Sequence, residues 1–248
     1  MRRALALLLA LCCAAPAAAA TCAQVDFEGA AFTSCRIDLA EEEVRLFLRD
    51  GDGAIYGSFG RIDEALAPGR RLGVAMNAGM FHEDRRPVGL YIEDGTQEMR
   101  VVTSAGPGNF GLLPNGVLCL NGDRAAVVES RAYAEAPPPC RHATQSGPML
   151  VIDGALHPRF IATSASRNIR NGAGVDASGR VLHLVISDVP VNFHHFARFF
   201  RDHLQVPNAL YLDGRVSRLW APEIGRADIG LPVGPIIGTV VDAAPSGG

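Results

Sequence analysis

The sequence predicts an α+β fold, a strand-rich mixed-sheet core with a few packed helices in a single domain, and three observations carry that expectation. Seven apolar runs have the length of strands rather than helices. Asp-Gly and Asn-Gly pairs punctuate the spaces between them, and only one segment carries a clear helical period.

Residues 1–20 read as a secretory leader and not as part of the fold. Arg2 and Arg3 form a charged start, Leu5 to Cys13 an apolar stretch too short to span a bilayer, and Ala18-Ala-Ala20 a small-residue cleavage signal. Leu11 precedes Cys12 and Thr21 precedes Cys22, so neither cysteine follows the small residue expected before a lipid anchor. No second long apolar run occurs, so residues 21–248 are expected as one exported domain, periplasmic or secreted, with no integral membrane segment.

The expected strands are Val44 to Leu48, Leu72 to Met76, Gly89 to Ile92, Gly116 to Leu120, Met149 to Ile152, Val181 to Ile186 and Ala209 to Leu212. The Asp-Gly and Asn-Gly pairs begin at Asp50, Asp52, Asp94, Asn115, Asn121, Asp153, Asn171 and Asp213. Such pairs supply the positive φ of tight hairpin turns, so antiparallel or mixed sheet is expected. The wholly apolar run before Asp213 reads as a buried central strand. Phe193, Phe196, Ala197, Phe200 and Leu204 share one helical face, with Asn192 as N-cap and Pro190 ahead of it. A shorter helix is expected near Ile62 to Leu66, and Ala134 to Pro139 reads as a loop.

Four cysteines lie beyond the leader, and short loop closure pairs Cys22 with Cys35 and Cys119 with Cys140, one of three possible connectivities. The chain has 23 basic residues against 26 acidic, and losing Arg2 and Arg3 takes the net charge from −3 to about −5. A nucleic-acid partner or an anionic membrane surface would need a basic footprint instead. Every basic residue is Arg, which excludes Schiff-base chemistry and a P-loop lysine while leaving planar, two-pronged binding of phosphate or carboxylate.

Several signatures fail on context. Gly106-Pro-Gly-Asn-Phe-Gly111 matches a dinucleotide-binding pattern by letter, but Pro107 and the following Leu-Leu-Pro-Asn-Gly read as strand and turn, not helix. There is no G-x-S-x-G elbow and no H-E-x-x-H. His194 and His195 are adjacent and point about 100° apart on a helix, so no metal and no cofactor is expected.

The chemistry-bearing positions cluster at expected strand ends. Asn77 and Gly79 follow the strand ending at Met76, and the polar loop with His82 and Arg85 comes next. Gln145-Ser-Gly-Pro148 offers an amide, a hydroxyl at Ser146, and a close backbone approach at Gly147. Arg167 and Arg170 precede a glycine-bearing strand, Asp188 ends Val181 to Ile186, and Asp213, Gly214 and Ser217 follow the buried central strand.

In this order, Ala75-Met-Asn-Ala-Gly-Met-Phe81, Pro87 to Gly95, Gln145 to Leu150, Arg170 to Gly174 and Leu212-Asp-Gly214 resemble the phosphodiester glycosidase family, over about Val44 to Val241. The resemblance implies hydrolysis at a sugar C1 joined to a phosphodiester, so a carbohydrate-phosphate substrate. Its asparagine-glycine motif falls on Asn77 and Gly79, its Ser-Gly-Pro motif on Ser146 to Pro148, its arginine on Arg170 and its Asp-Gly motif on Asp213 and Gly214. Three positions depart from the family: Ala78 replaces a second glycine, and Arg215-Val216 replaces a glycine pair before Ser217.

A phosphomonoester leaves far more readily than an alkoxide, so a placed cation can partly replace the acid of ordinary glycosidases. The expected catalytic residues are Arg170, aided by Arg85, on the departing phosphate, and Asp213 or Asp188 at C1. Asn77, Gly79, His82, Arg85, Ser146, Gly147, Gly214 and Ser217 are the expected substrate-binding set. Two other readings stay open: a non-catalytic glycan or envelope-polymer binding module, and a phosphodiesterase that breaks the P–O bond.

Overall fold

A computed structural model describes residues 20–243, and the expected leader lies outside them but for Ala20. Three sheets build the molecule, and every strand pairing in them is antiparallel. The largest has seven strands, with Ala30–Asp38, Val181–Ser187, Asn171–Val175, Asn208–Asp213 and Met149–Ile152 side by side in its middle. A five-stranded sheet centres on Arg70–Asn77 and Ile236–Asp242, and another on Tyr91–Glu93, His142–Ser146 and Gly116–Asn121.

All seven expected runs contain a strand. Turn chemistry explains two hairpins directly: Asp94-Gly95 and Asp153-Gly154 have φ of 47° and 78°, and 46° and 80°; in a third, Asn121 ends its strand and the loop is Gly122-Asp123, with Gly122 at φ of 60°, joining Gly116–Asn121 to Arg124–Glu129. Three other pairs are no hairpin turns. Asn115 precedes a strand, Asn171-Gly172 lies inside one, and Asp213-Gly214 ends one.

One hydrophobic cluster joins the three sheets: Ile37, Leu184, Leu210 and Leu212 from the first, Val74, Met76 and Ile237 from the second, Tyr91 and Leu118 from the third. The strand Asn208–Asp213 is buried on both faces, because Leu210 and Leu212 enter that cluster while Ala209 and Tyr211 enter another. The second cluster lies under the predicted helix, observed as Phe193–Arg198 continued by a π-helical turn, Phe199–His203. Asn192 caps it, its side chain accepting the His195 N–H at 2.9 Å. Glycines let this helix sit close to the sheet: a Cβ at Gly174 would come within 2.8 Å of Phe200 and 2.9 Å of Val206.

The short helix near Ile62 is Phe59–Ala65, capped by Ser58. A third, Ser130–Glu135, overlaps the expected loop at Ala134 and Glu135. It shows no apolar period, and Glu129 holds its start by accepting the Arg131 and Ala132 N–H groups. Both short-range cysteine pairs are disulfides, Cys22–Cys35 across neighbouring strands and Cys119–Cys140. No helix among the described residues is long and apolar enough to cross a membrane.

Candidate active site

One end of each sheet delivers a polar residue to a common point. Asn77 ends a strand of the second sheet, Ser146 ends one of the third, and Asn171 and Asp213 face each other in the first. Hydrogen bonds tie the sheets together there. Asn171 Nδ2 donates to the Asn77 carbonyl at 2.8 Å and to Asn77 Oδ1 at 3.2 Å, and Ser146 Oγ donates to the Leu212 carbonyl at 3.1 Å. Thr144 Oγ1 donates to the Ala78 carbonyl at 2.7 Å, beside Gly79 with φ of 140°. A Cβ at Gly79 would stand 3.0 Å from that hydroxyl, so φ and space both favour glycine.

Ser217 Oγ has three acceptors in reach: Asp213 O at 3.0 Å, Asn171 Oδ1 at 3.2 Å and Ile169 O at 3.2 Å. A hydroxyl has one proton, so Ser217 serves them in alternation and pins the segment after Asp213. Asn77 is fully buried, with Oδ1 taken by Arg218 N–H and Asn171, while its Nδ2 has no partner.

Asp213 is held through one oxygen. Its Oδ1 accepts the backbone N–H groups of Gly214, of Arg215 at 2.6 Å and of Val216 at 3.4 Å, an arrangement that fixes the carboxylate plane. Among the described residues nothing hydrogen-bonds to its Oδ2.

Arg170 is 1% exposed, and no carboxylate among the described residues pairs with it. Its donors go to neutral oxygens: Nε to Val191 O at 2.9 Å, Nη2 to Ser166 O at 3.2 Å and Nη1 to the Tyr211 hydroxyl at 3.3 Å. The guanidinium also stacks 3.8 Å from the centre of the Phe193 ring. Burial lowers its pKa, with the Tyr211 hydroxyl opposing. Burial likewise pushes Tyr211 up to about 12, Arg170 opposing and Asp213 adding to the rise, so this phenol keeps its proton. Gly214 joins the two halves of the site. A Cβ there would strike the Tyr211 hydroxyl and lie 3.4 Å from Arg170 Nη1.

The structure places the other expected residues differently. Asp188 is tied by Arg226 Nη1 at 2.6 Å and by Thr33 Oγ1 at 2.9 Å, with no bond to Arg170 or Asp213. His82 lies in the loop lining an open hollow of about 580 Å³ with Glu83, Asp84 and Arg86, to which Asn77, Ser146, Arg170 and Asp213 do not contribute. Arg85, φ 68°, directs its guanidinium toward Gly57 and away from any bond with these four. Gly147 has no room for a side chain, since a Cβ would come within 2.5 Å of the Asn115 Cβ. The Gln145 amide is fully used inside, by Leu90, Val102 and Ser130.

Residues not singled out from the sequence complete the centre: Asn171, Phe193, and Asn109, whose side chain lies beside the Tyr211 hydroxyl. Asn109 brings the loop of the false dinucleotide pattern onto the site. Among the described residues no group of three or more His, Cys, Asp or Glu is placed to hold a metal ion.

The model of the phosphodiester glycosidase family matches residues 70–228. An Escherichia coli protein described as the uncharacterized protein YigE is 34% identical over 179 residues, 72% of this chain and 70% of that one. Among solved structures, the zebrafish N-acetylglucosamine-1-phosphodiester alpha-N-acetylglucosaminidase catalytic domain, auto-inhibited by its pro-peptide, aligns with a TM-score of 0.58 at 15% identity, covering 89% of this chain and 81% of that one. A Burkholderia pseudomallei protein described as exported aligns with a TM-score of 0.54 at 13% identity, over 85% of this chain and 74% of that one. At these identities the two structures speak for the fold.

Proposed function

The chain belongs to the phosphodiester glycosidase family, and from that premise we propose that it is an exported hydrolase cleaving the glycosidic C–O bond of a sugar-1-phosphodiester. The observation that carries this reading is the coupling, through Gly214, of a buried arginine lacking a counter-ion to a carboxylate with one open oxygen. Burying a guanidinium without an anion is costly, and neutral acceptors and a ring face offset only part of that cost. An anion arriving beside it supplies the missing charge.

In this mechanism Asp213 Oδ2 faces the sugar C1, either stabilising an oxocarbenium-like transition state or attacking it. The three backbone donors on Oδ1 hold the carboxylate in place. Arg170 stabilises the charge that builds on the departing phosphate. At 1% exposure it acts from beneath the site, where a low dielectric strengthens its field. The Tyr211 phenol accepts from Arg170 and keeps its own proton to donate to a phosphate oxygen. The orphaned Nδ2 of Asn77, buried beneath the site, leaves one spare donor under the sugar side of the pocket.

Arg167 and Arg215 are exposed, have no ion pair among the described residues, and flank this centre in sequence, so they suit the anionic remainder of the substrate. Asp188, with Arg226, braces the neighbouring strand end. Export is supported by the leader and the two disulfides. The test is a panel of sugar-1-phosphodiesters given to the purified mature protein and its Asp213→Asn variant. Release of free sugar by the first alone is expected; binding without turnover by both would favour a non-catalytic module.

A further inference from the structure

Far along the second sheet from the site, Glu42 is 8% exposed and both of its carboxylate oxygens are buried without a hydrogen-bond partner. The groups facing it are the hydroxyl of Thr239, itself fully buried, and the backbone nitrogen of Ala20. Among the described residues no cation approaches it. Glu223, the other ionisable group that bears on it, is also acidic. Ala20 is packed into the main hydrophobic cluster with Cys22, Leu39 and Val44, whereas Thr21 is exposed. A buried carboxylate with one amide and one hydroxyl nearby and no cation among the described residues is a poor arrangement for the uncut chain.

We propose that the leader is cut between Ala19 and Ala20, one residue earlier than the sequence alone indicates, and that the new α-ammonium of Ala20 forms a buried ion pair with Glu42. Both cuts satisfy a small-residue rule, with Ala17 and Ala19 preceding one and Ala18 and Ala20 the other. The structure separates them. A cut after Ala20 removes a buried methyl from the core, places the charge on exposed Thr21 and leaves Glu42 unpaired. A cut before it adds one water across the Ala19–Ala20 peptide bond through a leader peptidase. Ala19 leaves with the carboxylate, and the Ala20 nitrogen, now carrying three donors, stays beside Glu42. Burial raises the Glu42 pKa, as expected for a carboxylate awaiting its cation. Maturation is thereby coupled to stability, since the pair exists in the processed chain alone.

Two measurements test this. The intact mass of the exported protein should correspond to a chain beginning at Ala20; a mass beginning at Thr21 would overturn the proposal. Mature protein should then be secreted behind a cleavable tag that leaves either Ala20 or Ser-Ala20 at the start, with Glu42 or with Glu42→Gln. The extra serine should lower the thermal midpoint by roughly 5 °C in the Glu42 protein and by under about 1 °C in the Glu42→Gln protein, because the variant has no charge to pair. Equal losses in both backgrounds would contradict the pair even if the mass were as expected. Neither measurement depends on hydrolase activity, so the inference stands or falls apart from the proposed function.

Discussion

Among single residues, Asp213 and Arg170 carry the proposed chemistry. Asp213→Asn keeps the Oδ1 acceptor for its three backbone donors but removes the charge facing C1. Turnover should therefore fall by on the order of 10²-fold or more while circular dichroism and the thermal midpoint stay near wild type. Arg170→Ala should lower turnover by a similar order, and also lower the midpoint, because the stack at 3.8 Å on Phe193 is lost with the charge. Its distinguishing mark lies in a series of leaving phosphates. Without Arg170 the rate should depend more steeply on leaving-group pKa, and parallel slopes would remove Arg170 from the departing charge. Asp213 stood out in the sequence as the end of an apolar run read as a buried central strand, although the apolar run Met149–Ile152 leads in the same way into the ordinary hairpin turn at Asp153. Arg170 was legible as a guanidinium near the site, but not its near-total burial, which depends on a helix residue, Phe193, and on carbonyls at Ser166 and Val191. Asn171 was read as part of a turn signal. It is a strand residue whose amide ties two sheets.

At the scale of elements, the helix from Phe193 and the glycine-bearing strand beneath it position Arg170 between them. Gly174→Ala should push Phe200 and Val206 outward, since a Cβ would lie 2.8 Å and 2.9 Å from them, and cost about 1–3 kcal/mol of stability by denaturant unfolding. The apolar period of this helix and its Asn192 cap were plain in the sequence. The strand His142–Ser146 was not, although all five of its residues are buried. Polar side chains there break the binary pattern, yet Thr144, Gln145 and Ser146 each satisfy themselves on backbone or side-chain partners that become visible when the sheets are assembled. The hairpin of Thr21–Phe27 and Ala30–Asp38 escaped for another reason. Its turn uses Glu28, with φ of 52°, where Asn or Asp is the usual signal.

At the scale of the whole molecule, three sheets close on one hydrophobic cluster, and their polar ends make one site. Two histidines packed into this body contribute to its acid response. Burial lowers His142 and His183 to about 4 from the ordinary 6.5, and His142 Nδ1 accepts the Asp94 N–H at 3.2 Å, which needs the neutral ring. Depressed folded pKa values contribute stability that is fully present above about 6.5 and is lost as the pH falls toward 4. The thermal midpoint should therefore drop across that window, and less so in His142→Gln; a midpoint unchanged between these pH values would contradict this assignment. The three-sheet closure itself was beyond the sequence, because register and sheet order depend on contacts far apart in the chain. If the bond broken joins the sugar C1 to its bridging oxygen, water adds to C1 and not to phosphorus. Hydrolysis of a sugar-1-phosphodiester in heavy-oxygen water decides between them: label on C1 of the released sugar is expected, and label in the phosphate would put the break at phosphorus and overturn the proposed chemistry.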